Sequence, residues 1–202
     1  MYKKIIGFKV VNIFPYLCIL LNIDMQKKIV ITGGPGTGKS TVIKELENRN
    51  FECMHEISRE VTLMARKNGI KQLFLKDPML FSKLLLEGRV QQFKKAEKLD
   101  SNMVFFDRGI PDVFAYMNYL GVTYPDIFVD ESKKNKYFDT IFLMPPWKDI
   151  YITDNERYES FEQSLAIHNH LKSAYGNLGY HIVEVPVGTI NERTSFILEN
   201  IK

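Results

Sequence analysis

The sequence predicts an α/β fold in which helices cover both faces of a parallel sheet. Three observations predict it: five short apolar runs recur along the chain, longer helical patterns separate them, and a glycine-rich stretch joins the first run to the first helix. Strands that alternate with helices are typical of parallel sheets, whose crossover helices bury both faces. Ligands bind such sheets at the carboxyl ends of the strands, so we expect the functional side chains there.

The five predicted strands are the short apolar runs. Each is followed by a segment with helical patterning, which predicts parallel neighbours joined by crossover helices rather than hairpins. The runs are Lys28 to Thr32, Phe51 to His55, Met103 to Phe106, Phe138 to Met144, and His181 to Val187.

Capping residues and glycines mark the expected ends of the helices. Ser58 is expected to cap a helix that ends before Gly69. Asp77, followed by a proline, is expected to cap the next helix. Pro111 begins another, which Gly121 ends. The remaining helical segments are expected from Lys39 to Arg49, from Glu159 to Tyr175 before Gly176 and Gly179, and after Thr189.

Length and composition indicate one globular domain. The chain has 202 residues, of which 45% are hydrophobic and 25% charged. A net charge of +3 is too nearly balanced for a nucleic-acid-binding surface, so we expect no nucleic-acid partner. Cys18 and Cys53 are the only cysteines and form no metal-binding pattern with histidine, which favours a reducing compartment, the cytoplasm, and no structural zinc.

The first 24 residues differ from the rest, since Ile5 to Ile23 is largely apolar. A signal peptide or membrane anchor is one interpretation, but the run is interrupted by polar residues and no cleavage site follows it, so we expect no stable membrane insertion. An extra element packed on the domain is a second. Our preferred hypothesis is that the natural chain begins at Met25, which gives an extension, residues 1–24, and a domain, residues 25–202.

The glycine-rich stretch after the first predicted strand fits the pattern G-x-x-x-x-G-K-[ST] of a phosphate-binding loop. Its glycines let backbone N–H groups face phosphate oxygens, the lysine reaches the β and γ phosphates, and the following hydroxyl binds Mg²⁺. We therefore predict that ATP and Mg²⁺ bind here, with Lys39 also catalytic and Ser40 a metal ligand. The predicted nucleotide-binding residues are Gly33, Gly34, Pro35, Gly36, Thr37, Gly38, Lys39, Ser40 and Thr41.

An Asp-Arg pair follows the third predicted strand. Asp107 stands directly after an apolar run, where a carboxylate holds Mg²⁺ in phosphate-loop proteins, so we predict it as a metal ligand and catalytic residue. Arg108 beside it either clamps a phosphate or an acceptor hydroxyl, or pairs with Asp107. We predict Arg108 as catalytic and substrate-binding.

Polar residues after the second predicted strand are candidates for the acceptor site. Glu56 is predicted to project into the same crevice as the phosphate loop and to take the proton from an attacking hydroxyl, a role for which Glu60 competes. Alternatively, both acids are ordinary exposed residues at the start of a helix, which explains them equally well. Arg59 would add positive charge for an anionic substrate, and Gln92, on the third helix, could hydrogen-bond a base or an amide.

A polar stretch, residues 145–158, is the longest irregular segment and is predicted to be a lid. Arg157 within it is predicted to neutralise the transferring phosphoryl group, with Lys148 a weaker candidate. Trp147 either stacks on a base or anchors the segment to the core.

The order of these motifs resembles that of the NadR/Ttd14-type AAA domain, a group of P-loop kinase-like proteins. The motifs are GGPGTGKST, Glu56-x-x-Arg59-Glu60, FFDRG, and Pro146-Trp147 with Arg157 ten residues later, and the resemblance covers nearly all of residues 26–202. It implies a P-loop NTPase fold in three layers, with a five-stranded kinase core and a lid, like those of nucleoside and thymidylate kinases. One member of the group phosphorylates nicotinamide riboside with ATP, and an animal member binds GTP and phosphoinositides. The Asp-Arg-Gly element here is closer to that of deoxynucleoside and thymidylate kinases.

Two classes of function fit these residues. The first is a kinase that transfers the γ-phosphoryl group of ATP to a hydroxyl or phosphate of a small, nucleoside-like acceptor. The second is a nucleotide-dependent switch or NTPase without a small acceptor, in which the lid presents a partner surface. A lid arginine and carboxylates at two strand ends favour the kinase. ATP is preferred to GTP because no Asn-Lys-x-Asp motif follows the late strands, where Val185 to Thr189 offers a base mainly backbone groups.

Overall fold

The computed structural model describes residues 26–70, 72–151 and 160–201, and the sheet in it has five parallel strands. The strand order is β2-β3-β1-β4-β5, so the first strand lies at the centre. The predicted α/β fold is confirmed, and all five predicted strands are present with slightly different ends. The strands are β1 (Lys27–Gly33), β2 (Glu52–Met54), β3 (Met103–Asp107), β4 (Thr140–Met144) and β5 (His181–Glu184).

Helices cross between the strands and lie on both faces of the sheet. The short helices α3 and α6 and a 3₁₀ turn, Lys148–Ile150, were not predicted. The helices are α1 (Lys39–Asn48), α2 (Ser58–Lys67), α3 (Leu73–Lys76), α4 (Pro78–Ala96), α5 (Pro111–Tyr119), α6 (Ile127–Lys134), α7 (Phe161–Asn177) and α8 (Ile190–Glu199).

Successive residues of each strand point to opposite faces, which divides the core into two clusters. Ile29 and Ile31 of β1 pack with α1 and α8, in a cluster that includes Leu46 and Ile197. Val30, between them in β1, faces the other cluster with α2, α4, α5, α6 and α7. All of these side chains are fully buried, so the strands are covered on both faces, as predicted.

The helix ends follow local capping chemistry in most places. Asp77 caps α4 by accepting a hydrogen bond from the Leu80 N–H at 2.9 Å, as predicted. Thr189 caps α8 through a capping box. The predicted cap at Ser58 is wrong: Ile57 is the cap residue of α2, and the Ser58 hydroxyl donates to the Glu56 carboxylate at 2.8 Å instead.

The last long helix, α7, ends later than predicted. Gly176 lies inside it, and the helix stops at Asn177, before Gly179, whose φ of 85° is left-handed. No helix within the described ranges is long and apolar enough to cross a membrane. The predicted extension, residues 1–24, and the proposed start at Met25 lie outside the described residues.

Candidate functional site

The predicted phosphate loop, residues 33–41, connects the end of β1 to the start of α1. Gly33 has a φ of 151°, and a Cβ there would lie 2.5 Å from the carbonyl oxygen of Met144 in β4. Gly38 caps α1 with a left-handed φ of 80°. The N-terminus of α1 thus faces the loop, where free N–H groups and the helix dipole favour an anion.

The lysine of the loop is buried beneath it. Lys39 Nζ donates to the carbonyl oxygen of Gly34 at 2.7 Å. Burial, aided by the neighbouring Arg108 cation, lowers the pKa of Lys39 to about 8, although the carboxylates of Asp107 and Glu56 oppose the shift. A phosphate placed in the loop would give this desolvated ammonium group an anionic partner.

Asp107 and Ser40 are the two predicted metal ligands. Asp107 ends β3 beside Ile31 of β1 and is 5% exposed. Its Oδ1 is buried and has no hydrogen-bond partner among the described residues. Burial raises the pKa of Asp107 despite the nearby Lys39. Ser40 lies exposed in the first turn of α1.

These oxygens suit Mg²⁺, a hard cation that takes oxygen ligands and usually keeps water and substrate phosphates in its shell. The orphaned Asp107 oxygen is the observation that supports the fit. Within the described ranges no group of three or more His, Cys, Asp and Glu side chains could hold a metal by itself. A magnesium ion here would therefore take water and phosphate oxygens as further ligands.

Arg108 connects the phosphate loop to the second strand. Its Nε donates to Glu56 Oε1 at 2.7 Å, and its Nη1 donates to the Gly33 carbonyl oxygen at 2.8 Å and to Asp112 Oδ1 at 3.1 Å. Its φ of 73° is left-handed, which is uncommon for a residue with a side chain. The expected alternative of a pair with Asp107 is wrong, because adjacent side chains at a strand end diverge and Arg108 reaches the more distant carboxylates.

Glu56 is the carboxylate held by this guanidinium. Burial raises its pKa, but the Arg108 and Lys39 cations and a hydrogen bond from Ser58 outweigh that effect and bring the pKa to about 2. The Glu56 side chain is 21% exposed, so it remains within reach of a ligand in the crevice. It is fully ionised near neutral pH and can accept a hydrogen bond, but it is a weak base.

Asp112, in the first turn of α5, is a buried residue that the sequence motifs did not reveal. It accepts hydrogen bonds from the Thr32 hydroxyl and the Tyr175 hydroxyl, both at 2.6 Å, and from the Gly109 N–H at 3.1 Å. With Arg108 as a fourth donor, this fully buried carboxylate is well satisfied. Asp112 and Glu56 therefore hold the Arg108 guanidinium together, through different nitrogen atoms.

Two other predicted substrate residues lie at the edge of the crevice. Arg59 is exposed on α2 and forms no ion pair with any residue of the described ranges, and Glu60 beside it is also exposed. Gln92 donates from its amide nitrogen to the carbonyl oxygen of His55 at 2.6 Å. This bond ties α4 to the end of β2, so part of the amide is already committed to the fold.

Only the first half of the predicted lid, residues 145–151, lies among the described residues, and we call it the lid stem. Arg157 lies outside them, so its predicted role stays a prediction. Lys148 is exposed. Trp147 is half-buried. Its ring lies against Arg193 rather than in the apolar core, with 5.7 Å between the ring centroid and the guanidinium carbon.

Two further buried arginines approach the site and were not predicted. Arg193 of α8 is 3% exposed, and its Nη2 donates to the Thr37 carbonyl oxygen of the phosphate loop at 3.0 Å. Arg89 of α4, also 3% exposed, donates to the Gly109 carbonyl oxygen at 2.6 Å. An arginine in a helix is usually solvated, so nothing in the local sequence signals them.

Comparison with known proteins gives one family. A family model described as an AAA domain matches residues 28–193. No curated protein matched the sequence.

Solved structures with the same fold include two kinases and a NadR protein. A deoxyadenosine kinase from M. mycoides with bound dATP has a TM-score of 0.64 at 19% identity, covering 86% of this chain and 98% of that one. A thymidylate kinase from Candida albicans has a TM-score of 0.65 at 17% identity, covering 88% and 91%. A NadR protein in complex with NR has a TM-score of 0.66 at 18% identity; 87% of this chain aligns with half of that one. At these identities the likeness shows a shared P-loop kinase-like fold.

Proposed function

The chain belongs to the AAA domain family, and from this premise we propose that it is an ATP-dependent kinase for a small, nucleoside-like acceptor. The observation that carries the proposal is the position of Arg108, which joins the Glu56 carboxylate at 2.7 Å to the Gly33 carbonyl of the phosphate loop at 2.8 Å. A carboxylate that could bind an acceptor hydroxyl and a cation that could neutralise phosphoryl charge would therefore border a triphosphate bound in the loop.

The nucleotide side of the site would be formed by the phosphate loop. Backbone N–H groups of the loop, at residues other than Pro35, and the Lys39 ammonium would bind the phosphates of ATP. Ser40 and Asp107 would hold Mg²⁺, which when bound bridges phosphate oxygens and neutralises their charge. The buried Asp107 oxygen without a partner supports this assignment.

The acceptor side would be formed by the ends of β2 and β3. Glu56 would accept a hydrogen bond from the acceptor hydroxyl and orient it toward the γ phosphate. A pKa of about 2 makes Glu56 an orienting group more than a strong base, which suits a loose phosphoryl-transfer transition state, in which positioning and charge stabilisation supply most of the catalysis. An acceptor phosphate in place of a hydroxyl would instead meet Arg108 and the exposed Arg59.

Other roles follow for residues at the rim. Gln92 would offer its remaining hydrogen-bonding capacity to the acceptor, and Arg157 in the lid would neutralise the transferring phosphoryl group. We propose ATP as the donor and the cytoplasm as the location, because a kinase needs a supply of ATP.

The test is ADP release from MgATP by the purified protein, alone and with a panel of nucleosides, nicotinamide riboside and nucleoside monophosphates. The proposal expects ADP release that depends on one acceptor class, with a matching phosphorylated product. Lys39→Met serves as the control for contaminating kinases. Slow hydrolysis that no acceptor accelerates, or tight nucleotide binding without turnover, would overturn the kinase and favour a nucleotide-dependent switch.

A further inference from the structure

Arg193 is a buried cation that contacts the phosphate loop from α8. Its Nη2 donates to the Thr37 carbonyl oxygen at 3.0 Å and lies 3.4 Å from the Met144 sulfur. Its Nη1 lies 2.7 Å from the position that a Cβ on Gly38 would occupy. Among the described residues no carboxylate lies within ion-pair distance of this guanidinium, and its buried Nε has no hydrogen-bond partner there.

An unpaired buried cation costs free energy, so its position calls for a compensating role. Burial lowers the pKa of Arg193, in keeping with this cost. Arg49 shows a less costly arrangement, because it bonds to Ser195 and Asn191 of α8 but is partly exposed and pairs with Glu45 at 2.9 Å. Arg193 differs from it in three respects: it is buried, it has no carboxylate partner among the described residues, and it contacts the phosphate loop.

The geometry of one peptide group indicates what that contact does. The Thr37 carbonyl and the Gly38 N–H belong to the same planar trans peptide and point in opposite directions. Since Arg193 binds the Thr37 carbonyl oxygen, the Gly38 N–H points away from Arg193. No acceptor in the described part of the chain takes this N–H. A donor bound to the carbonyl also polarises the peptide, which makes its N–H a stronger donor.

We infer that Arg193 is a positioning residue for phosphate binding: it orients and polarises the Thr37–Gly38 peptide so that the Gly38 N–H donates to a phosphate oxygen of the bound nucleotide. The inference rests on the proposed function in one respect, that a nucleoside triphosphate occupies the loop. The contact that we infer is with a phosphate group of the ligand and does not involve the base.

The guanidinium also connects the loop to the lid stem. Trp147 covers one face of Arg193 at 5.7 Å, and Ile150 Cδ1 of the lid stem lies 3.5 Å from the point that a Gly38 Cβ would occupy. One cation thus contacts the loop peptide and the first aromatic side chain of the lid stem. The orientation of this peptide therefore depends on contacts from α8 and from the lid stem as well as on the loop itself.

The experiment measures the dissociation constants of MgATP and of inorganic tripolyphosphate for the wild-type chain, Arg193→Met and Arg49→Met. Arg49→Met is the matched control, because it removes an arginine from the same α1–α8 interface without touching the loop. We expect Arg193→Met to weaken both ligands by a similar factor of about ten or more, the usual effect of losing a hydrogen bond to a charged group. Arg49→Met should change neither ligand by more than about twofold.

A second variant keeps the inference testable if Arg193→Met folds poorly. Arg193→Lys retains a donor and a charge, and we expect it to recover part of the lost affinity for both ligands. Unchanged affinity in both Arg193 variants, or a loss confined to MgATP, would overturn the inference, the second result by assigning Arg193 to the base. Failure of the wild-type chain to bind either ligand would instead contradict the proposed function.

Discussion

The two sides of the crevice are held together in different ways. On the nucleotide side, Lys39 and Thr37 both donate to Gly34, and Thr41 donates to Gly38, so these bonds span five residues or fewer. On the acceptor side, Arg108 bonds to Glu56 across 52 residues of sequence. The nucleotide side can form once its own residues adopt the loop, whereas the acceptor side exists only when β2 and β3 are in register.

Asp112 is the centre of the acceptor side. It joins β1 through Thr32, 80 residues away, and α7 through Tyr175, 63 residues away. Two long-range contacts reach the mostly local nucleotide side: Arg193 bonds to Thr37 across 156 residues, and Arg108 bonds to Gly33 across 75. The comparison teaches that changes at the acceptor side should affect folding and chemistry together, while changes inside the loop should affect chemistry with little loss of stability.

The largest expected effect is on stability, at the centre of the acceptor side. Asp112→Ala leaves the Arg108 cation without one of its two carboxylates and empties a fully buried site. We expect the free energy of unfolding to fall by about 3–5 kcal/mol, as when one partner of a buried pair is removed. Denaturant unfolding measures it. Thr41→Ala, which removes an exposed local bond, is the control and should cost about 1 kcal/mol or less.

A change at Lys39 should have the opposite effect, with a large loss of turnover and no loss of stability. Lys39→Met removes a desolvated cation, so we expect unfolding stability equal to or above that of the wild type. Turnover should fall by about 10²–10³-fold, the usual loss when one preorganised transition-state donor is removed. Parallel melting curves and initial rates check the prediction, and a clear drop in melting temperature would contradict the separation of the two sides.

The pH dependence of nucleotide binding should sharpen the comparison further. The pKa of Lys39 is about 8 without a ligand, and bound phosphates favour the ammonium form and raise it. Affinity for ATP is therefore full below about pH 8 and falls by up to about tenfold per unit as the pH rises toward the bound-state pKa. Calorimetry at pH 8 in buffers of different ionisation enthalpy should detect proton uptake on binding, and uptake should be absent in Lys39→Met.

The free energy of unfolding also depends on the protonation of Lys39, but it rises with pH in the range where ATP affinity falls. The pKa of Lys39 lies below its unfolded value of 10.5, so the unfolded chain binds more protons between pH 8 and 10.5. The cost of burying the charge is present in full below about pH 8 and is relieved as the pH rises through this window.

The smallest expected effect is at the lid stem. Trp147→Leu removes the aromatic face from Arg193 and keeps an apolar side chain. We expect ATP affinity to fall by about two- to fivefold, the size of a partly exposed cation–π contact. In the Arg193→Met background the same substitution should have no further effect. Additive losses in the double variant would mean that Trp147 and Arg193 act separately.

The features that the sequence predicts well are those whose causes are local. The phosphate loop is set by glycines, a lysine and a hydroxyl at fixed offsets, and the strands by short apolar runs. Asp77 caps α4 from three residues away. The position of Asp107 at a strand end can be predicted as well, because only the apolar strand before it has to be recognised.

The features that were missed depend on contacts between distant segments. Asp112 follows a proline at a helix start and looks like an ordinary first-turn acid, yet its donors come from β1 and α7. Ser58 has the side chain of a helix cap, but the Glu56 carboxylate two residues earlier takes its hydroxyl. Helix α6 has only eight residues, too short for its periodicity to stand out.

The measurement that tests the central claim most directly compares Glu56→Gln with the wild-type chain, recording acceptor-dependent product formation and MgATP affinity in parallel. The exchange keeps the shape of the side chain and removes the charge held by Arg108 at 2.7 Å. If Glu56 orients the acceptor, product formation falls by about 10²-fold or more while MgATP affinity changes by less than about threefold. Unchanged turnover, or an equal loss in both quantities, would contradict the account.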